Sequence, residues 1–235
     1  MIKKIKGAFN SFVQLFYPRV CAGCGNNLLT GEEFICLNCY DVLQPTSFNL
    51  HKENRFYNNM VARIPIEEAS AMYYFSKGGR IQRILHEIKY SGNKSLAVYM
   101  GNLIGKKNVR EDAFKDIDVI VPVPLHPKKE AKRGYNQCVL ICKGIGEAMD
   151  KPMVVDGLKR VIFTSTQTHK TRVDRWENVK DAFQVDNVNS LKGKHILLFD
   201  DVMTTGATLE ASARTLLQIE GVKLSLATMV FTDEL

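Results

Sequence analysis

Two adjacent carboxylates, Asp200 and Asp201, stand between an apolar run, Ile196 to Phe199, and a small, hydroxyl-rich segment, Thr204 to Thr208. Neighbouring carboxylates repel each other unless a cation or hydrogen-bond donors lie beside them. Vicinal hydroxyls are groups from which both could accept, and Mg2+ would relieve their repulsion. The residues that follow, Thr204, Thr205, Gly206, Ala207 and Thr208, run straight into a helical pattern. Backbone N–H groups in such a turn converge, and a helix N-terminus adds favourable potential for a phosphate. Gly206 lets the backbone come close, while the threonine hydroxyls can donate to phosphate oxygens. The segment is neither a Walker A loop nor a dinucleotide fingerprint, because G-x-x-x-x-G-K-[ST] and G-x-G-x-x-G are both missing. An Asp at a strand end or a Thr at a helix start is commonplace by itself. Together, directly after a buried strand, they favour an anion cradle over a surface turn.

A second chemical group is Cys21, Cys24, Cys36 and Cys39, arranged as two C-x-x-C pairs. Each pair places two thiolates on one tight turn, and two such turns can close a tetrahedron around Zn2+. The spacer between the pairs is shorter than the commonest one but long enough for a hairpin such as NNLLTGEEF. Disulfides are the alternative, which an exported chain could use. A closed four-sulfur shell leaves no open coordination position, so the expected zinc is structural. Cys138 and Cys142, one helical turn apart, read as packing residues.

The 235 residues carry a formal net charge of +7, with 45% hydrophobic and 24% charged residues. The basic balance suits an anionic partner, whether nucleic acid, a phosphorylated small molecule or a membrane surface, and equally a plain solubility charge. The N-terminal stretch has Lys3, Lys4 and Lys6 but no unbroken apolar core, because Asn10, Ser11 and Gln14 interrupt it. Ile2, Ile5, Phe9, Phe12 and Phe16 recur at helical spacing, so it reads as an amphipathic helix against its own protein or a membrane surface. No stretch approaches the ~20 apolar residues of a membrane span, and the expected location is the cytoplasm.

These groups need a frame. Strand-like ASAMYYFS is followed by IQRILHEIKY, with Ile81, Ile84, Leu85 and Ile88 on one helical face, and by a second helix in SLAVYMGNLIGKKN. DVIVPVPL reads as a strand buried on both faces, ending in prolines, and HPKKEAKRGYNQ as a basic loop. CVLICKGIGEAM is helical, VVDGLKRVI a strand, and FTSTQTHKTRVDRWENVKDAF a polar interruption. KHILLFDD, LEASARTLLQIE and KLSLATMVF complete the chain as strand, helix and strand. Such alternation predicts an α/β fold with a parallel sheet, whose ligands bind beyond the carboxyl ends of the strands. The expected division is an amphipathic helix, zinc module and connector in residues 1–55, then one domain in 56–235.

ILLFDDVMTTGAT resembles the thirteen-residue 5-phosphoribosyl-1-diphosphate signature of type I phosphoribosyltransferases. The four cysteines, RGYNQ (Arg133 to Gln137) and the run Thr164, Gln167, Arg175, Asn178, Ala182, Phe183 resemble the ComF family of competence-associated proteins, over essentially the whole chain from Cys21. The resemblance implies a type I phosphoribosyltransferase-like domain behind a four-cysteine zinc module. It implies that Asp200 and Asp201 hold the ribose hydroxyls and that Thr204 to Thr208 hold the 5-phosphate. PVPLHPKKEAKRGYNQ falls at the diphosphate loop and FTSTQTHKTRVDRWENVKDAF at the mobile loop. Lys170 departs from the pattern, since family members often have an apolar residue there.

The residues agree with that placement. Lys128, Lys129, Lys132 and Arg133 could compensate a diphosphate, and His169, Lys170, Arg172 and Arg175 are further candidates, each equally readable as solvated surface. No residue stands out as a base for an incoming nucleophile. The first expectation is an enzyme that binds phosphoribosyl diphosphate with Mg2+ and transfers or hydrolyses the phosphoribosyl group, in a role tied to natural transformation. The alternative is a catalytically silent single-stranded DNA-binding or scaffold protein, with a competence helicase or recombination mediator as partner. Trp176, Tyr135 and Phe183 are too scattered to make an obvious stacking platform for it.

Overall fold

The structure is a computed structural model that describes residues 18–162 and 181–232. Its centre is a four-stranded parallel sheet in the order β1-β6-β5-β2, with β1 at Ala69–Tyr74, β2 at Val119–Pro122, β5 at His195–Met203 and β6 at Lys223–Phe231. The apolar run of β5 is fully buried because both faces of the sheet are covered. Leu197 and Phe199 pack into one apolar cluster, Ile196 and Leu198 into another, as strand alternation requires.

The first face is covered by α3 (Arg80–Tyr90), α4 (Lys94–Arg110) and α6 (Gln137–Met149). Ile81, Ile84, Leu85 and Ile88 form the buried stripe of α3, so the helical periodicity read from the sequence describes the real interface. α4 and α6 lie nearly backbone to backbone. A Cβ on Gly101 would collide with the Ile141 carbonyl, and one on Gly144 with that of Val98. α2 (Arg55–Val61) and α7 (Ala207–Leu216) cover the second face, with Phe56, Met60, Leu209 and Leu216 buried there.

The N-terminal thiol-bearing segment is joined to the sheet. α1 (Leu37–Val42) starts at Cys36, and Ile35, Cys39 and Leu43 share the first apolar cluster. The following residues run along β1: Tyr74 N–H donates to Gln44 O at 3.0 Å and Thr46 N–H to Met72 O at 3.0 Å. No helix among the described residues is long and apolar enough to cross a membrane. The amphipathic pattern at residues 1–17 and most of the polar interruption, 163–180, lie outside the described residues.

Three elements differ from their sequence reading. The strand expected in VVDGLKRVI is split. Pro152–Val154 runs beside β2, with Ile120 N–H donating to Pro152 O and Val154 N–H to Ile120 O, both at 2.9 Å. A bend over 155–157 then diverts the chain, so β3 (Leu158–Arg160) pairs antiparallel with β4 (Phe183–Val185) in a separate ribbon. The basic loop contains a helix, α5 (Pro127–Arg133), with His126 capping Lys128 N–H, Pro127 at the first position and Gly134 left-handed at its end. Finally, β5 continues past the acid pair: Asp200 pairs in register with Thr228 and Met203 with Phe231. The two carboxylates therefore sit in the last turns of a strand's ladder, where backbone pairing fixes them.

Candidate functional site

Asp201 is 5% exposed, and its Oδ2 accepts from Gln137 Nε2 at 2.7 Å and from Lys89 Nζ at 2.8 Å. Lys89 comes from the last turn of α3 and Gln137 from the first turn of α6. Burial alone would lower the Lys89 amine, but the Asp201 charge and hydrogen bond, helped by Asp200, outweigh it and raise the amine above its usual range. Gln137 is oriented in turn by Arg133, which donates to its Oε1. A guanidinium only donates, so it must meet the amide oxygen, leaving the amide NH2 for Asp201.

Asp200 is held differently. Its Oδ1 accepts from the backbone N–H of Asp201 at 2.8 Å and from Cys138 Sγ at 3.5 Å. Burial first, and then the neighbouring Asp201 charge, push its carboxyl from 3.8 up to about 6. Burial and the two acids also push the Cys138 thiol well up, so it stays protonated and able to donate. The pair is thus asymmetric: Asp201 has a cation of its own, whereas Asp200 resists ionising.

Downstream, Gly206 ends the loop at φ 78 and precedes α7. A Cβ there would lie 2.8 Å from Met60 Sδ and 3.3 Å from Arg63 Nη1, so the position accepts only glycine without movement. Arg63 Nη1 donates to Thr205 O at 2.8 Å and lies 3.6 Å from Glu210 Oε2. Glu210 is buried, and its Oε1 also accepts from Arg214 Nε at 3.1 Å. The loop is therefore clamped from behind. Of the first-turn amides of α7, that of Ala207 makes a long contact to Thr205 Oγ1 at 3.5 Å, and that of Thr208 has no intrahelical acceptor by geometry and can face an anion. Thr204 is exposed, Thr205 and Thr208 half-buried.

Cations gather opposite. Burial, then Arg160 and Arg133, lower the Lys129 amine. Burial likewise lowers Arg160, with the Asp200 charge opposing. Arg133 lies 5.5 Å from the Tyr90 ring centroid and Arg160 5.2 Å from that of Phe183. Of the residues expected from sequence, the fold puts Asp200 beside Asp201, Arg133 behind Asp201 through Gln137, and Lys129 in the field of Arg133 and Arg160, while Thr204 to Thr208 lead from β5 into α7. Lys128 is exposed on α5, and Arg175, with His169, Lys170 and Arg172, lies outside the described residues. The sequence gives no mark to Lys89, Arg63 or Arg160. Each lies in a segment with several like residues nearby, and no local signal marks it.

The second candidate centre is the thiol cluster. The ligand atoms of Cys21, Cys24, Cys36 and Cys39 all lie within 4.8 Å of one another. Cys24 Sγ and Cys36 Sγ are 3.8 Å apart. That matches the roughly 3.8 Å edge of a tetrahedron with Zn–S bonds of about 2.3 Å. Amides point at the sulfurs: Cys36 N–H to Cys21 Sγ at 3.2 Å, Gly23 N–H to the same sulfur at 3.4 Å, and Asn26 N–H to Cys24 Sγ at 3.5 Å. Burial would raise Cys21, but amide hydrogen bonds from Cys36, Cys24 and Gly23 outweigh it and bring the thiol to about 7. Burial and the other thiols raise Cys39. The Cys21 thiolate forms readily and Cys39 resists ionising unless a cation sits beside it, which suits a four-sulfur zinc site. The described cysteines are all unpaired, so the disulfide alternative is not what the fold contains.

Residues 136–234 match the family described as "Phosphoribosyl transferase domain". The chain is 27% identical over 211 residues to Competence protein F of Haemophilus influenzae, spanning 86% of this chain and 92% of that one. It is 34% identical over 100 residues to Competence protein ComFC of Bacillus subtilis, spanning 43% of this chain and 38% of that one. Among solved structures, the allosteric regulatory enzyme of purine biosynthesis matches with 18% identity and a TM-score of 0.40, over 60% of this chain and 29% of the other.

Proposed function

We propose, from the premise that this chain belongs to the ComF family, that its strand-end site binds 5-phosphoribosyl 1-diphosphate with Mg2+ and transfers the phosphoribosyl group, to an acceptor or to water. The observation that carries this reading is the meeting, at the carboxyl end of β5, of an acid pair, a glycine-hinged helix start and a cluster of half-buried cations. Each matches one part of the ligand: ribose hydroxyls, 5-phosphate and diphosphate.

In this reading Asp200, once ionised, accepts from a ribose hydroxyl, while Asp201 is kept in place by Lys89 and Gln137. The amides of Ala207 and Thr208 and the threonine hydroxyls take the 5-phosphate. Lys128, Lys129, Arg133 and Arg160 face the diphosphate. When the bond from the anomeric carbon to diphosphate oxygen breaks, the electron pair leaves with diphosphate and the sugar gains oxocarbenium character. Preorganised cations stabilise that departing charge without reorganisation. Mg2+ would supply further neutralisation of the leaving group there. With one carboxylate oxygen already taken by two donors, the acid pair fits the metal only as a partner to the ligand's own oxygens. The thiol cluster fits a structural Zn2+, which would hold the N-terminal module in shape and take no part in the chemistry.

The test is diphosphate release from the full chain, with water and a panel of nucleobases as acceptors. Release that falls by about a hundredfold or more in Asp200→Asn supports transfer. No release from the wild type with any acceptor removes the enzyme reading.

The names of the relatives, Competence protein F and Competence protein ComFC, favour a role for this activity in competence. The +7 charge is the observation behind a second reading, in which single-stranded DNA is bound directly. A binding constant that falls steeply with salt supports that second reading, and one indifferent to salt removes it.

A further inference from the structure

We infer that Lys89 is a built-in counterion of the acid pair: its ammonium holds the place at Asp201 that a divalent cation would take, so metal enters this site only together with an anionic ligand. The second clause rests on the proposed function; the first stands on the chain alone. Asp201 Oδ2 is met by Lys89 Nζ at 2.8 Å and Gln137 Nε2 at 2.7 Å, so two donors already share one oxygen. Lys89 is not a stray surface side chain. Its neighbour Ile88 is fully buried, and the Ile88 carbonyl accepts from the Tyr135 hydroxyl, which pins the end of α3 against the start of α6. The lysine side chain is 21% exposed and the Asp201 side chain 7%, so the pair is shielded from competing water.

The charges explain the consequence. Lys89 offsets the Asp201 charge, and Asp200 Oδ1 is already met by the Asp201 amide and the Cys138 thiol. At most one carboxylate charge remains uncompensated, with Arg133 behind Gln137 and Arg160 in the field of Asp200. Divalent hard cations are held by several oxygens with net negative charge, which this pair by itself does not offer. A diphosphate would bring both the missing oxygens and the missing charge. Lys89 therefore acts as a positioning residue. It fixes Asp201, keeps the empty site from trapping metal, and leaves Asp200 as the carboxylate presented to a ligand.

The experiment is Mn2+ binding to the zinc-loaded full chain without any phosphate ligand, read from the electron paramagnetic resonance of free Mn2+. Wild type and Lys89→Arg are expected to bind weakly and alike. Lys89→Met is expected to bind at least about tenfold tighter, because an uncompensated carboxylate is returned to the site. Adding Asp201→Asn to Lys89→Met should abolish that gain. No gain in Lys89→Met, or a gain that survives Asp201→Asn, overturns the inference. A merely structural lysine could lose function when replaced but would not create a cation site.

Should Lys89→Met fail to fold, the nitrogen-15 spectrum of lysine ammonium groups in the wild type decides. One resonance protected from proton exchange, and lost in Asp201→Asn, is expected; its absence overturns the ion pair. Titrating phosphoribosyl diphosphate with Mn2+ into the wild type separates the two readings. No binding there, alongside the gain in Lys89→Met, removes the ligand and keeps the counterion.

Discussion

The thiol module and the strand-end site are both polar clusters on the edge of the same apolar core, yet they are assembled in opposite ways. In the module every ligand and the amides that feed the sulfurs come from one short stretch, as when Cys36 N–H meets Cys21 Sγ. In the strand-end site, Asp201 is completed by Lys89 from α3 and Gln137 from α6, and Gly206 is fitted against Met60 and Arg63 from α2 and its exit. With a metal bound, the first would depend on one ion and a few turns of backbone; the second depends on the whole sheet holding three helices in register. The module should therefore fail as a unit, and the strand-end site should fail by degrees.

The largest effect tests the first half of that contrast. Cys36→Ser removes one of four sulfurs while keeping a hydroxyl that can cap α1 as Cys36 Sγ does for Cys39 N–H. Structural zinc is worth about 10–16 kcal/mol in finger peptides. The variant is expected to lose its zinc by elemental analysis and the module's cooperative melting with it. Retention of both would mean that packing of Ile35 and Leu43, not a metal, shapes this region.

Next is Gly206→Ala, a change within the second region. A left-handed backbone and a Cβ 2.8 Å from Met60 Sδ should cost about 1–3 kcal/mol in urea unfolding, with a larger relative loss of phosphate-ligand affinity. Equal losses of stability and affinity would make the loop a structural turn.

The pH dependence sharpens the contrast inside the acid pair. The folded state holds the Asp200 proton more tightly than the unfolded chain, because its carboxyl is raised from 3.8 to about 6. Its contribution to folding is thus fully present below 3.8 and lost as pH climbs through about 6. Ligand affinity should run the other way, rising through the same window as the acceptor ionises. Opposite slopes, both flattened by Asp200→Asn, are expected from denaturation and binding measured across that range. Parallel slopes would assign the titration to another group.

The smallest effect belongs to neither region. Lys159→Ala removes an ion pair to Asp186 on the exposed ribbon, with side chains 50% and 45% exposed. Its effect on stability should be under about 1 kcal/mol. A larger loss would show that the ribbon, which carries Arg160, helps hold the site.

What could be read from the chain follows the same division. The C-x-x-C pairs announce their geometry locally, and the thiols indeed cluster. The buried strands and the α3 stripe were legible because burial on both faces, or on one helical face, leaves a period in the residues themselves. Pro127 and Gly134 also mark the ends of α5, although the density of lysines made that segment read as a loop. Lys89 left no such trace. His86, Glu87 and Lys89 all lie at the polar boundary of α3, and only the packing of that helix over the end of β5 selects the lysine. The split of the strand after Pro152 was likewise set by pairing with β2 and β4, which no single segment encodes.

The measurement closest to the central claim is a calorimetric titration of 5-phosphoribosyl 1-diphosphate with Mg2+ into the wild type and Asp200→Asn. Saturable binding that weakens by about tenfold or more in the variant is the expected result. No binding to the wild type, or equal affinity in both, would contradict a ribose–phosphate site at the end of β5.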